Sequence, residues 1–535
     1  MIPAAAVDDY LARELDSHLW MKDLTEAEVD AALAALHPRP WVWSGDAANP
    51  DGMRLHQKVS ILLGIAYPGF GFWIDMGGGK TLVALTLLRY WWDTGVIRRA
   101  LIFVTSDKAF LTWEKQIRRF GIGIPYLALE GPSEDKWRQL DEFGEGLVLV
   151  TRPGAVHMVA EKVVVKRKGK KPKPELDLVE AKVQKLSAWA QGIVWDESTR
   201  EGNRGSLQYE LAGKLRKNAH CRYALAGRPF GRDPTLLHAQ YKLIDGGETL
   251  GETLGLFRAA FFRERKLPWG QHAREYIFDD TLRSELSRMI QHRSITYTAD
   301  ECVDLPPVVK IVEEVSFPTE AAAYYDRVVK DLIKAKGNYH AAKNAFLRMR
   351  QVSSGFVGVR DDETGAKAEI EFADNPKLAR LLDLMADLPE GRKAVVFYEF
   401  THSGRQIVEA LKKEFSDRPI WLWSGTKDAR AELRRFLEDD RCQTAVVQSR
   451  VGAYSLDGLQ DVASYTFFFE SPISPIDREQ AERRLVRDGQ KHKVVQYDIV
   501  VRGSMDQRIL DFIAEGDDIM EAVMRDPARA VGRRR

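Results

Sequence analysis

Three consecutive glycines followed by a lysine and a threonine, Gly77-Gly78-Gly79-Lys80-Thr81, are the residues of this chain best suited to hold a phosphate. Glycine allows the tight turn that aims successive backbone amides at one point, Lys80 brings a mobile positive charge for the outer phosphate oxygens, and Thr81 offers a hydroxyl to a magnesium ion. The five residues follow an apolar run, Phe70 to Ile74, and lead into a helical pattern from about Lys80 to Tyr90, whose N-terminal dipole end favours an anion. Ile74 stands where the strict P-loop spacing has its first glycine, so the motif is the shorter GGGKT core of a Walker-type loop. A second candidate pair is Asp196-Glu197, which ends the apolar run Ile193-Val194-Trp195. One carboxylate there can hold magnesium through water while its neighbour polarises an attacking water. Gln57 opens the helical segment that begins at Met53, and its amide could read an adenine edge. A glutamine taken alone is read as a surface residue.

A parallel sheet positions such groups, because its strands end on one side and bring the loops that follow them together. RALIFVT at Arg99 to Thr105, GLVLVT at Gly146 to Thr151, GIVWDE at Gly192 to Glu197 and RYALAG at Arg222 to Gly227 are near-continuous apolar runs. Helical patterns such as Lys108 to Phe120 separate them, so they are read as strands of a parallel sheet covered on both faces. A second series, without a phosphate loop, follows at AVVFYEF (Ala394 to Phe400), WLWSG from Trp421, TAVVQS (Thr444 to Ser449), YTFFFES (Tyr465 to Ser471) and VVQYDIV (Val494 to Val500). The fold class is α/β. The divisions read as a helical preface at 1–45, a first lobe at 46–299, a helix-rich connector at 300–373, a second lobe at 374–515 and a tail at 516–535.

A chain of 535 residues exceeds one core and implies about two to four units. The formal net charge is +1, with 79 basic against 78 acidic residues, so affinity for nucleic acid must come from local clusters. One cluster is KVVVKRKGKKPK, Lys162 to Lys173, with seven basic residues and no acidic one, which is either a solvated loop or a phosphate-backbone contact. Cys221, Cys302 and Cys442 lie far apart without metal-ligand spacing and are read as core thiols of a reducing compartment. No long uninterrupted apolar run occurs, and Asp8, Asp9 and Glu14 occupy the N-terminus where a signal peptide needs basic then apolar residues. The expectation is a soluble, intracellular protein without a membrane partner.

In their order these motifs resemble the helicase superfamily 2 ATPases, and within them the Swi/Snf-type translocases of double-stranded DNA. The resemblance runs from Met53 to about Leu510. MRLHQ is similar to that family's adenine-reading glutamine segment, IDMGGGKT to its first motif, LIFVTSDKAFLTWEKQI to motif Ia, and WDEST to the DExx box. ALAGRP resembles the coupling motif, with Ala226 and Arg228 where the family usually has threonines. NPKL at Asn375 to Leu378 resembles the opening of the second lobe and AVVFYEF motif IV. QSRVGAYSLDGL resembles motif V, with a glycine pair reduced to Gly452-Ala453 and Asp457 in place of an asparagine. QAERRLVRDGQ, Gln480 to Gln490, is the most specific match and resembles motif VI; its Arg484 and Arg487, three apart, are expected to share a helix face. The compact core, without large accessory modules, is similar to versions carried in bacteriophage genomes.

The resemblance implies two RecA-like lobes with ATP and Mg2+ between them and duplex DNA as partner. Gln57 and Gly77 to Gly79 would then line the nucleotide, Lys80 and Thr81 would hold phosphate and metal, Asp196 would bind the metal and Glu197 activate water. Arg484 and Arg487 would complete the site. Two other functions fit the altered coupling residues or the superfamily: an ATP-gated scaffold for a protein partner with little turnover, and an RNA helicase. No wedge for opening a duplex is evident. The second lobe carries no hairpin signal beyond Asp457-Gly458, and Trp421 and Trp423 alternate as packing residues.

Overall fold

The computed structural model describes residues 3–36, 52–75, 77–165, 173–199, 205–227, 234–266, 274–302, 306–335, 338–360, 367–415, 417–450, 458–487, 489–515 and 519. The chain divides into two compact units, Met1–Val303 and Asp304–Arg535.

In the first unit seven strands form one sheet: β1 (Gly69–Ile74), β2 (Arg99–Val104), β3 (Tyr126–Ala128), β4 (Gly146–Thr151), β7 (Gly192–Asp196), β8 (Cys221–Ala226) and β11 (Ser294–Tyr297). Two antiparallel hairpins, β5 (Ala160–Val165) with β6 (Lys173–Leu178) and β9 (Phe262–Lys266) with β10 (Arg274–Phe278), lie outside it. The sheet order is β11-β1-β8-β7-β2-β4-β3 and every pairing in it is parallel. Successive residues of a strand point to opposite faces, and here each face has its own core. On β2, Ala100, Ile102 and Val104 pack into one apolar cluster and Leu101 and Phe103 into the other. That is why these strands read as unbroken apolar runs. The N-terminal helices belong to this unit: Val29 and Leu33, on the helix Glu26–Leu36, join its core, and the Tyr10 hydroxyl donates to the Leu250 carbonyl at 3.1 Å.

The second unit holds a six-stranded sheet of β12 (Val308–Val315), β15 (Lys393–Tyr398), β16 (Ile420–Leu422), β17 (Thr444–Gln448), β18 (Ala463–Phe468) and β19 (Val494–Val501), in the order β12-β19-β18-β15-β17-β16 and again all parallel. Val395 and Phe397 of β15 face one cluster, and Ala394, Val396 and Tyr398 the other. The α/β class is the architecture observed: each of the two units is built on a parallel sheet covered by helices.

Two features depart from the sequence reading. The segment between the two apolar series supplies β12 as well as helices, and the helices Thr319–Lys334 and Tyr339–Ser353 share a core with Met505 and Ile509 near the end of the chain. The second unit also contains a hairpin, β13 (Phe356–Arg360) with β14 (Lys367–Glu371), for which no Asn-Gly or Asp-Gly turn signals. Among the described residues no helix is long and apolar enough to cross a membrane.

Candidate functional site

The glycine loop follows β1 and leads into the helix Lys80–Asp93. Gly77 and Gly79 adopt φ values of 87° and 86°, in the left-handed region that favours glycine. Space demands glycine too. A Cβ on Gly79 would collide with Nε2 of Gln57, and one on Gly78 with the Ile74 side chain and, at 2.9 Å, with Sγ of Cys302.

Gln57 is buried, against the surface placement expected of a glutamine read alone. Its Nε2 donates to the Gly78 carbonyl at 3.1 Å and its Oε1 accepts from the Arg54 backbone N–H at 3.0 Å. His56 converges on the same oxygen: its Nε2 lies 2.7 Å from the Gly78 carbonyl, which can only accept, so that nitrogen carries the proton. Burial pushes the His56 pKa below its ordinary value, and the Gly78 carbonyl only partly opposes this. The segment with His56 and Gln57 thus grips the middle of the glycine loop, a link that motif spelling does not reveal. Lys80 reaches back, with Nζ donating to the Ile74 carbonyl at 2.6 Å. Its ammonium rests on the loop it would serve.

The acid pair ends β7. Sheet order places β7 two strands from β1, with β8 between, so Asp196 and the glycine loop lie at the same edge, two strand spacings or about 10 Å apart at the backbone. Glu197 has φ 51° and is the one non-glycine residue with positive φ among those described. A bulky side chain in that region stores strain of order 1–3 kcal/mol, which surrounding structure must hold. Arg152 does the holding. Only 4% exposed, its guanidinium donates to the carbonyls of Asp196, Glu197 (3.3 Å) and Val104 (3.3 Å), tying the ends of β2 and β7 together. It follows directly on β4 and begins the helix Arg152–Val159, with Thr151 as cap and a proline in the first turn. Trp113, on the helix Asp107–Arg119, donates its indole N–H to Asp196 Oδ2 at 3.0 Å. Sequence reasoning missed both residues, although an arginine directly after a buried strand was a signal for the first.

The donor set fits a nucleotide with magnesium: glycine amides, an ammonium and a hydroxyl at one helix start, and a carboxylate at the same sheet edge. When bound, magnesium would neutralise developing phosphate charge, and Thr81 and Asp196 are the residues that would hold it.

In the second unit the helix Pro475–Glu482 ends before the motif VI arginines. Arg484 and Arg487 therefore do not share a helix face as expected; they sit in successive turns, with the Gln490 N–H donating to the Arg487 carbonyl at 3.1 Å. Arg484 is buried. The arginine on the helix is Arg478, bidentate to Asp498 at 2.6 and 2.7 Å and stacked 3.5 Å over Phe468. Gln490 donates to the Ala463 and Leu485 carbonyls and so fixes the turn. Asn375 caps the helix Pro376–Ala386, and Lys377 is fully buried against Asp506 at 3.0 Å, so NPKL serves the fold of its unit. Trp421 and Trp423 stack with centroids 5.6 Å apart, in keeping with packing. Arg228, Gly452-Ala453, Asp457 and the basic run Lys166 to Lys171 lie outside the described residues.

No protein-family model matches the chain, and none of the curated proteins matches it. Among solved structures it is similar to the SWI2/SNF2 ATPase core of Sulfolobus solfataricus in complex with double-stranded DNA, at 18% identity and a TM-score of 0.40, over 92% of this chain and 98% of that one. The SWI2/SNF2 ATPase core domain of the same organism gives 17% identity and a TM-score of 0.38 over 90% and 94%. The C-terminal part of the Fun30 ATPase domain gives 14% and 0.34 over 42% and 97%.

Proposed function

We propose that this protein is an ATP-dependent motor of the Swi/Snf type that hydrolyses ATP with Mg2+ and moves on duplex DNA. The observation that carries the reading is the shared sheet edge: a glycine loop in which a Cβ on Gly78 or Gly79 would collide with its neighbours, and two strands away a carboxylate pair whose second member is held in a strained backbone conformation. Gln57 lies beside the base, Gly77 to Gly79 wrap the phosphates, and Lys80 leaves the Ile74 carbonyl to pair with them. Thr81 and Asp196 hold the metal, and Glu197 orients the attacking water. An arginine that stabilises charge on a transferred phosphoryl group is typically worth about 10³ to 10⁵ in rate, and this is the role that the resemblance gives Arg484 and Arg487.

A second reading, an ATP-gated scaffold with little turnover, draws on Ala226, which ends β8 without the hydroxyl that the family's coupling motif carries there. Steady-state ATP hydrolysis with and without duplex DNA separates the two. The motor requires stimulation by DNA and loss of about 10² to 10³ in turnover for Lys80→Ala, the scale expected when one transition-state donor is removed. Equal low rates with and without DNA would favour the scaffold, and stronger stimulation by duplex RNA would move the assignment to RNA. Undiminished turnover in Lys80→Ala would remove the site itself.

A further inference from the structure

The indole of Trp113 is 1% exposed and lies in the core beneath the helix Asp107–Arg119, yet its N–H is directed at a carboxylate on the rim of the sheet. An indole nitrogen donates and never accepts, so the contact commits Asp196 Oδ2 to the protein and leaves the other carboxylate oxygen uncommitted to that donor. The backbone beneath is fixed separately, because Arg152 binds the carbonyls of Asp196 and Glu197. Asp196 is thereby held at two levels, its main chain by a guanidinium and its side chain by an indole. The opposite assignment has Asp196 serving Trp113, since a buried indole N–H ordinarily needs a partner. The two assignments differ in what they require of the rim: a carboxylate kept only to satisfy the core would have no effect on metal affinity when the indole changes.

We propose that Trp113 is a positioning residue for the metal site, its indole N–H orienting the Asp196 carboxylate toward the magnesium ion that accompanies ATP. The proposal rests on the assignment of Asp196 to metal made above. Partners that orient a ligating group typically change metal affinity or activity by about 10- to 100-fold when removed.

The test uses the full chain and a fluorescent, non-hydrolysable ATP analogue, titrated by anisotropy in EDTA and then across magnesium concentrations, for the parent protein, Trp113→Phe and Asp196→Asn. Trp113→Phe keeps an aromatic ring in the core and removes the N–H. The expected result is unchanged nucleotide affinity in EDTA, together with a magnesium half-saturation raised about 10- to 100-fold. Asp196→Asn should lose most of the magnesium enhancement. If Trp113→Phe overlays the parent protein while Asp196→Asn loses the enhancement, Trp113 is a core residue only and the proposal fails with the metal assignment intact. If Asp196→Asn itself retains the parent's magnesium dependence, the assignment of Asp196 fails and the proposal goes with it. Thermal unfolding reports whether Trp113→Phe is folded; should it not be, Trp113→Met, unbranched and adaptable in cores, removes the same N–H. A raised half-saturation in either variant supports the proposal, and an unchanged one overturns it.

Discussion

Glu197 is where chemistry and strain meet, and the two can be separated by substitution. Glu197→Gln keeps the size and the left-handed backbone and removes the charge proposed to orient water, so nucleotide should still bind while hydrolysis is lost. Glu197→Gly also loses hydrolysis but relieves the backbone. Left-handed geometry costs a side-chain-bearing residue about 1–2 kcal/mol, more than the roughly 0.5–1 kcal/mol that glycine's freedom usually costs in ordered structure. The glycine variant should therefore be at least as stable as the parent in denaturant titration, an uncommon outcome for removing a partly buried charged residue. A loss of more than about 1 kcal/mol would mean that the Glu197 side chain contributes to the fold and not only to the site.

Among the elements, those with unbroken apolar character were legible: β1, β2, β4, β7, β8, β15, β17, β18 and β19 all follow runs that sequence alone marks as strands. The missed ones have physical reasons. β12 is an edge strand whose residues alternate between partly buried and exposed, so VVKIVEEV lacks a buried strand's signature. β11 and β3 have four and three residues, too short for any period to show. The arginine turn was misplaced because spacing of three suits a helix, whereas the helix ends at Glu482. Gln57 and the loop were legible as types but not as partners, since the meeting of Gln57, His56 and Gly78 depends on tertiary packing.

Two predictions belong at this scale. The strands β5 and β6 carry the basic run between them, and neutralising Lys166, Arg167, Lys168, Lys170 and Lys171 should weaken DNA binding and lower the salt slope by about 0.9 for each duplex phosphate no longer neutralised; an unchanged slope would return that run to a solvated loop. The buried rings of His18 and His56 both have pKa values lowered, chiefly by burial, from an ordinary 6.5. Above that value the imidazoles are neutral in both folded and unfolded chains, and stability is undiminished. As pH falls through 6.5 toward the depressed folded values, the unfolded chain takes up protons that the folded unit refuses, so stability drops. Hydrogen exchange in peptides of the first unit, corrected for intrinsic rates, should report faster opening at about pH 5.5 than at about 7.5, an effect that His56→Gln should reduce.

At the scale of the whole molecule, the proposed motor should move along duplex DNA without separating strands efficiently. Three antiparallel hairpins are present among the described residues without an Asn-Gly or Asp-Gly signal, but their chemistry does not favour opening. The described residues of β5 and β6 contain no aromatic ring on which a base could stack, and phosphate contacts position a protein without unpairing bases. The rings on the other two are engaged: Phe278 packs on Phe262 at 5.6 Å, Tyr276 under Arg258 at 4.4 Å and Phe356 against His402 at 4.3 Å. Displacement of a third strand from a triplex, with little opening of a forked duplex, is the expected pair of results. Robust ATP-dependent fork opening would identify one of these hairpins as a wedge, and shortening each in turn would show which.

The strand pairings also set an order for synthesis. β1, which leads into the glycine loop, finds one of its two neighbours in β11, more than two hundred residues later, with the Gly71 N–H donating to the Arg293 carbonyl at 2.8 Å and the Asp75 N–H to the Tyr297 carbonyl at 3.0 Å. In the second unit β12, first to emerge, pairs along its whole length with β19, the last strand made. Each sheet is thus closed by its final strand, and a growing chain must leave an apolar strand without its partner until the closing one leaves the ribosome, the kind of exposure that invites aggregation. A fragment ending at residue 303 should fold and remain monomeric in sedimentation, whereas one ending at residue 290, which lacks β11, should aggregate.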